Sequence, residues 1–323
     1  MPTTKAEMKA VAIDRFGPPS LLKIHRVPVP TPGPSEVVIA IDTAGVGVWD
    51  ASIREGEWKA PGRTKFPLIP GTDGAGVISA IGSRVRRFRV GDRVYAYEFG
   101  NRQGGFYAEF AACRAEHVGR VPKSLTFREA GAAATTGLTA LQGVKLLRLR
   151  KNATVLIFGA TGAVGTIALQ LARNAGYRVL ATASGKSATS LVKKLGARGV
   201  LDARSKDIAE DLRRLAPAGI DGVLAFAGGD GLERCLDFLN KGGKVVLPNG
   251  VEPAPKARRS IKISTYDGVA SPAQFAELTR LIDRAKVHVP ISGVFPLASA
   301  DKAHRRLAEG HIVGRIVLRV HRL

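Results

Sequence analysis

Residues Thr154-Val-Leu-Ile-Phe158 form an apolar run that breaks at Gly159. After Ala160-Thr161-Gly162-Ala163-Val164-Gly165, apolar positions Ile167, Ala168, Leu171, Ala172 and Ala175 recur at helical spacing before Gly176. A buried strand, a tight turn and a helix in that order commit this stretch to a βαβ unit. Apolar segments 178–182, 199–201, 222–226 and 244–247 continue the alternation, which predicts an α/β chain with a doubly wound parallel sheet of Rossmann type. The turn follows G-x-G-x-x-G with alanine first. Gly162 lets backbone approach a phosphate, Gly165 lets the helix pack against the strand, and the unpaired N–H groups at the helix start suit an anion. A dinucleotide site is therefore expected on Gly159, Ala160, Thr161, Gly162, Ala163 and Val164.

A length of 323 residues suggests two domains. No stretch approaches the roughly 20 apolar residues that span a bilayer, and the first nine residues lack an apolar signal core, so a cytoplasmic protein without membrane contact is expected. Cys113 and Cys235, the only cysteines, cannot build a disulfide framework and read as small buried hydrophobes. The net charge of +22 raises the question of nucleic acid. Its basic residues are dispersed, with short clusters at 84–89, 145–151 and 256–262 and no interleaved aromatics. The expectation is weak, salt-sensitive polyanion sticking rather than a specific nucleic-acid partner.

Before residue 125 the pattern changes to short β segments at 10–13, 36–41, 74–81 and 92–96, separated by proline and glycine, as in a small barrel. Residues 271–286 read as one amphipathic helix with Phe275, Leu278, Leu281 and Ile282 on one side. The β pieces that follow, ending in Gly314-Arg-Ile-Val-Leu318, are expected to return to the first domain. The expected division is 1–124 with 265–323 for the β-rich domain and 125–264 for the cofactor domain, the ligand binding in the cleft where they meet.

The cofactor's identity is read about 20 residues past the glycines, where NAD sites place an acid. Here the stretch is Ala181-Thr-Ala-Ser-Gly-Lys-Ser187. Ser184, the Gly185 amide and Lys186 can accept a 2′-phosphate, so NADPH is expected.

Jointly, Met8–Ile13, Pro70-Gly-Thr-Asp-Gly-Ala-Gly-Val77, Val90-Gly-Asp-Arg-Val-Tyr95, Gly104-Gly-Phe-Tyr-Ala-Glu-Phe110, Thr136-Gly-Leu-Thr-Ala140, the cofactor turn, Gly242–Val246 and Gly314–Leu318 resemble the medium-chain dehydrogenase/reductase superfamily, in its zinc-free quinone oxidoreductase and enone reductase branch. The resemblance implies a GroES-like β-barrel catalytic domain, a Rossmann domain and commonly a homodimer. It also implies cofactor contacts at Thr136, Gly228 and Asn249, and Arg204 in place of a tyrosine used by relatives. Around the nicotinamide or pocket mouth it implies Gly47, Trp49, Asp50, Ser52 and Trp58. Asp50 is expected to serve in structural hydrogen bonding, with proton delivery as the alternative. Tyr97 and Tyr107 are alternative proton donors, or packed aromatics at a barrel surface, and the six histidines are expected at the surface.

By the same resemblance, zinc-dependent members carry a cysteine, a histidine and a third ligand where this chain has Gly47, Thr72 and Thr135. Glycine cannot ligate and a threonine hydroxyl is a poor ligand, so no metal is expected. Reducing a ketone passes through an alkoxide that needs a Lewis acid or a strong proton donor. Hydride addition to a quinone or enone gives a phenolate-like or enolate product instead. A phenol-like acid near pKa 10 against a water-like acid near 15.7 differs by about 8 kcal/mol. The expected function is NADPH-dependent reduction of a quinone or α,β-unsaturated carbonyl compound. An enoyl-thioester or haloacrylate-type alkene reductase is the alternative within the fold. A nucleotide-gated RNA-binding or crystallin-like protein without turnover is the alternative outside it.

Overall fold

The computed structural model describes residues 6–57, 64–101, 103–258 and 261–321. It divides into two compact units: residues 1–135, 270–283 and 291–323, and residues 136–269 with 284–290. Residues 125–135, expected with the cofactor domain, thus group with the first unit. Residues 265–269 and 284–290, expected with the β-rich domain, group with the second.

The first unit opens with the antiparallel hairpin of β1 (Glu7–Ala12) and β2 (Lys23–Pro28). Then come β3 (Glu36–Val46), helix α1 (Val48–Glu55), β4 (Asp73–Ile81), β5 (Arg93–Tyr97), β6 (Phe110–Arg114) and β7 (Val118–Arg120). Helix α2 (Phe127–Leu147) starts in this unit and ends in the second. Its first turn is held reciprocally: Glu129 accepts the Thr126 N–H at 2.9 Å, and the Thr126 hydroxyl accepts the Glu129 N–H at 3.3 Å.

The second unit alternates β8 (Thr154–Phe158), α3 (Ala163–Asn174), β9 (Arg178–Thr182), α4 (Lys186–Leu195), β10 (Gly199–Leu201), α5 (Ile208–Leu215), β11 (Ile220–Ala225), α6 (Asp230–Leu236), β12 (Leu239–Pro248) and β13 (Lys262–Tyr266). All six strands are parallel, in the order β10-β9-β8-β11-β12-β13. That is the doubly wound 3-2-1-4-5-6 order, whose direction reverses between β8 and β11, so the carboxyl ends of these two strands mark the ligand end of the sheet. Leu156, Leu180, Val223 and Val245 lie fully buried in the core, as a sheet covered on both faces requires.

The chain then returns to the first unit through α7 (Pro272–Ala285), which buries Phe275, Leu278 and Ile282, and continues with β14 (Ile291–Pro296), α8 (Ala300–Ala308) and β15 (Arg315–Arg319). β15 pairs antiparallel with β3, completing a seven-stranded sheet ordered β14-β15-β3-β4-β5-β7 with β6 also on β3. Pairing the last strand with the third buries Ile316 and Leu318 beside Ile39 and Ile41.

Candidate active site

The second unit presents the nucleotide turn. Gly159 takes φ +80°, the tight turn one residue before the expected fingerprint. Its N–H donates to the Thr182 hydroxyl at 2.8 Å, which ties the turn to the end of β9. Gly162 caps α3. A Cβ on Gly165 would lie 2.2 Å from the Gly159 carbonyl, so only glycine lets α3 approach the strand. A Cβ on Gly162 would meet only the Gly159 carbonyl oxygen, at 3.5 Å, leaving open space before the N-terminus of α3. This cradle fits a pyrophosphate.

At the end of β9, Ser184 is half-buried, and Gly185 and Lys186 are exposed at the start of α4. The Ser184 hydroxyl donates to Asp202 Oδ1. The same oxygen accepts the Arg204 N–H at 3.0 Å, and the Arg204 guanidinium lies 3.9 Å away. The Ser184 hydrogen bond, first, and the Arg204 N–H hold the Asp202 carboxyl below its usual range. Asp202 gave no signal beyond its place after a short strand. Gly228 has a structural reason of its own, since a Cβ there would lie 1.9 Å from the Pro253 carbonyl oxygen. Thr136 is buried in α2 and Asn249 is exposed after β12.

The first unit holds the pocket candidates. Gly47 caps α1, and Trp49, Asp50 and Ser52 sit in its first turns; Asp50 is fully buried, while Trp49 and Ser52 are half-buried. Trp58 lies outside the described residues. Tyr97 ends β5, in register with Asp73. Asp50 Oδ2 accepts the Gly47 N–H at 2.8 Å, and Oδ1 accepts the Thr72 N–H at 3.0 Å. Burial, then repulsion from Asp73, pushes the Asp50 carboxyl up to about 7 against the pull of Arg315 and the two N–H groups.

Asp73 Oδ2 accepts the Thr135 N–H at 2.9 Å, and Oδ1 pairs with Arg315 at 2.6 Å, both side chains buried. A Cβ on Gly45 would lie 2.5 Å from both members of this pair, so the bare backbone of β3 makes room for it.

Two expectations are overturned. Tyr107 is not at a barrel surface but fully buried, its hydroxyl 3.0 Å from His304 Nε2. His304 is likewise buried rather than at the surface, and His25, His117 and His321 are half-buried. His304 Nδ1 lies 2.6 Å from Arg54, which also reaches the Gly17 carbonyl at 2.9 Å and Glu55. Burial and then Arg54 push the imidazole down to about 3. Arg54, His304 and Arg315 were missed because their partners lie up to 250 residues away; the only hint was a cation opening the apolar run 315–318.

The dehydrogenase fold raises the question of a metal. Gly47 has no donor atom, Asp73 is occupied by Arg315, and no three His, Cys, Asp or Glu residues among those described gather closely enough to hold an ion. This donor set does not fit tetrahedral zinc. Away from the candidates, Arg84, Arg86, Arg87 and Arg114 line a surface cavity of about 410 Å³, a local concentration of the chain's positive charge. Cys113 and Cys235 are buried free thiols. No helix among the described residues is long and apolar enough to cross a membrane.

Comparison with known proteins fits both units. Residues 33–123 match the alcohol dehydrogenase GroES-like domain, and residues 195–318 match a zinc-binding dehydrogenase domain. The chain is 30% identical over 325 residues to the mouse (Mus musculus) quinone oxidoreductase, covering 96% of this chain and 97% of that one. It superposes on an NAD-dependent alcohol dehydrogenase with TM-score 0.89 at 29% identity, covering 97% and 100% of the two chains. A mycobacterial protein solved in complex with NADPH gives TM-score 0.84 at 28% identity, with the same coverage. The chain belongs to the medium-chain dehydrogenase/reductase superfamily, as an oxidoreductase of its quinone oxidoreductase branch.

Proposed function

We propose that the protein is a zinc-independent oxidoreductase that uses NADPH to reduce a quinone or an alkene activated by a neighbouring carbonyl. The observation that carries this reading is the chemistry at the three positions where zinc-dependent members hold ligands. Gly47 offers nothing, the Thr72 and Thr135 N–H groups are given to Asp50 and Asp73, and the Asp73 carboxylate is engaged by Arg315. With no Lewis acid provided for, an acceptor that delocalises its own negative charge is the one such a site can reduce.

When bound, NADPH supplies the hydride from nicotinamide C4. The turn from Gly159 to Val164 would hold the pyrophosphate, with Thr136, Gly228 and Asn249 as further contacts. The Gly185 amide, Lys186 and Arg204 would face the 2′-phosphate, and Ser184 would be oriented by Asp202. Gly47, Trp49, Asp50, Ser52, Trp58 and Tyr97 would line the acceptor side. The mycobacterial NADPH complex and the mouse quinone oxidoreductase support the cofactor and the acceptor class. The reading includes a small-molecule substrate and a cytoplasmic homodimer.

The test follows nicotinamide absorbance with a panel of acceptors. Quinones and enones are expected to be reduced, faster with NADPH than with NADH, while saturated ketones are not. Preferential ketone or alcohol turnover with NAD(H), or no turnover with any acceptor, would overturn the reading.

A further inference from the structure

Where β9 and β10 end in the second unit, a carboxylate stands among the groups expected to meet a 2′-phosphate. The two strands are parallel neighbours with Thr182 opposite Leu201, so the residues just past them, Ser184 and Asp202, arrive at the same end of the sheet. The Ala183 N–H donates to the Leu201 carbonyl at 2.9 Å, which holds the two ends side by side. Asp202 Oδ1 accepts the Ser184 hydroxyl and, at 3.0 Å, the Arg204 N–H, while the Arg204 guanidinium lies 3.9 Å from the same oxygen. Lys186 opens α4 after Gly185, and the first turn of that helix carries no acid. The carboxylate that an NAD site places at the end of the second strand is supplied here from the end of the third.

The direction of the Ser184 contact decides what the site can offer. A hydroxyl has one proton and an ionised carboxylate has none, so Ser184 is the donor and its proton is committed to Asp202. What Oγ then presents to a ligand is lone pairs. These suit a ribose hydroxyl, which can donate, and not a phosphate monoester, which carries about −1.5 to −2 charge at neutral pH and acts as an acceptor. The Asp202 side chain is 46% exposed, so its charge meets the same phosphate directly and draws on the Arg204 cation. The Ser184 hydrogen bond, first, and the Arg204 N–H hold this carboxyl below its usual range, and it stays ionised.

We infer that Asp202 is a specificity-determining residue of the nucleotide site, which holds down its preference for NADPH over NADH by keeping the Ser184 proton and offsetting the Arg204 charge. The Gly185 amide and Lys186 are left to favour the 2′-phosphate. The inference rests on the proposed function only in taking these strand ends as the place of the adenosine ribose.

The experiment measures dissociation constants for NADPH and NADH from nicotinamide fluorescence, with no acceptor present, for wild type, Asp202→Asn and Ser184→Ala. Asparagine keeps an oxygen for the Arg204 N–H and removes the charge. Asp202→Asn should tighten NADPH by about 3- to 10-fold and change NADH by less than about twofold. Ser184→Ala should weaken NADH by about 2- to 10-fold, as the loss of one hydrogen bond does, and leave NADPH unchanged. Melting temperatures without nucleotide should stay close to wild type, since the Asp202 carboxylate is exposed. An NADPH affinity that falls or stays the same in Asp202→Asn, or a Ser184→Ala variant that loses more NADPH than NADH binding, would overturn the inference and leave the proposed function standing. A wild type that prefers NADH, with NADPH binding gained in Asp202→Asn, would support the inference and contradict the NADPH reading. Binding of neither dinucleotide would overturn both.

Discussion

The two units solve the problem of polar groups beside a binding site in opposite ways. In the second, the turn is built from neighbours in sequence: Gly159, Gly162 and Gly165 lie within seven residues, and what they offer a ligand is bare backbone and a helix start. In the first, the polar groups are side chains gathered from distant places. Asp73 meets Arg315 across 242 positions and Arg54 meets His304 across 250. A backbone cradle is specified locally and costs little to bury, whereas buried charges are tolerable only when every partner arrives. The first arrangement depends on close approach, and the second on the completeness of a network.

The sharpest way to break this contrast is to remove one partner from the network. Arg315→Met leaves Asp73 buried without its cation and should cost about 3–5 kcal/mol in denaturant unfolding. Adding Asp73→Asn should return part of that loss, since no uncompensated charge then remains. A cost no larger than that of a surface arginine would mean the pair holds nothing together. A smaller effect is expected from crowding the cradle. Gly165→Val places a side chain 2.2 Å from the Gly159 carbonyl, which should cost about 1–3 kcal/mol and weaken NADPH binding by about 10- to 100-fold. Amide exchange should quicken in α3 and β8 and stay unchanged in β3, β4 and β15.

The same contrast explains what could be read in advance. The helix–strand alternation, the glycine turn and strands such as 178–182 and 199–201 were legible because period, length and turn residues are local properties. The expected sheet segments 36–41 and 244–247 extend to 36–46 and 239–248, since strand ends are set by pairing partners rather than by composition. Asp50 stood out within its motif. Nothing local distinguishes His304 from an exposed histidine on a polar helix, or Tyr107 from a packed aromatic. Their burial follows from α8 and the segment before β6 closing on α1, which is a product of the whole fold. Asp202 was invisible for the same reason: its partner Ser184 sits on a different strand end.

The reading of a site without a Lewis acid is tested most directly by measuring NADPH-dependent quinone reduction on protein dialysed against a strong chelator and assayed for zinc by mass spectrometry. Undiminished kcat/KM at substoichiometric zinc is the predicted result. Turnover that disappears with the chelator and returns when zinc is added back would contradict it.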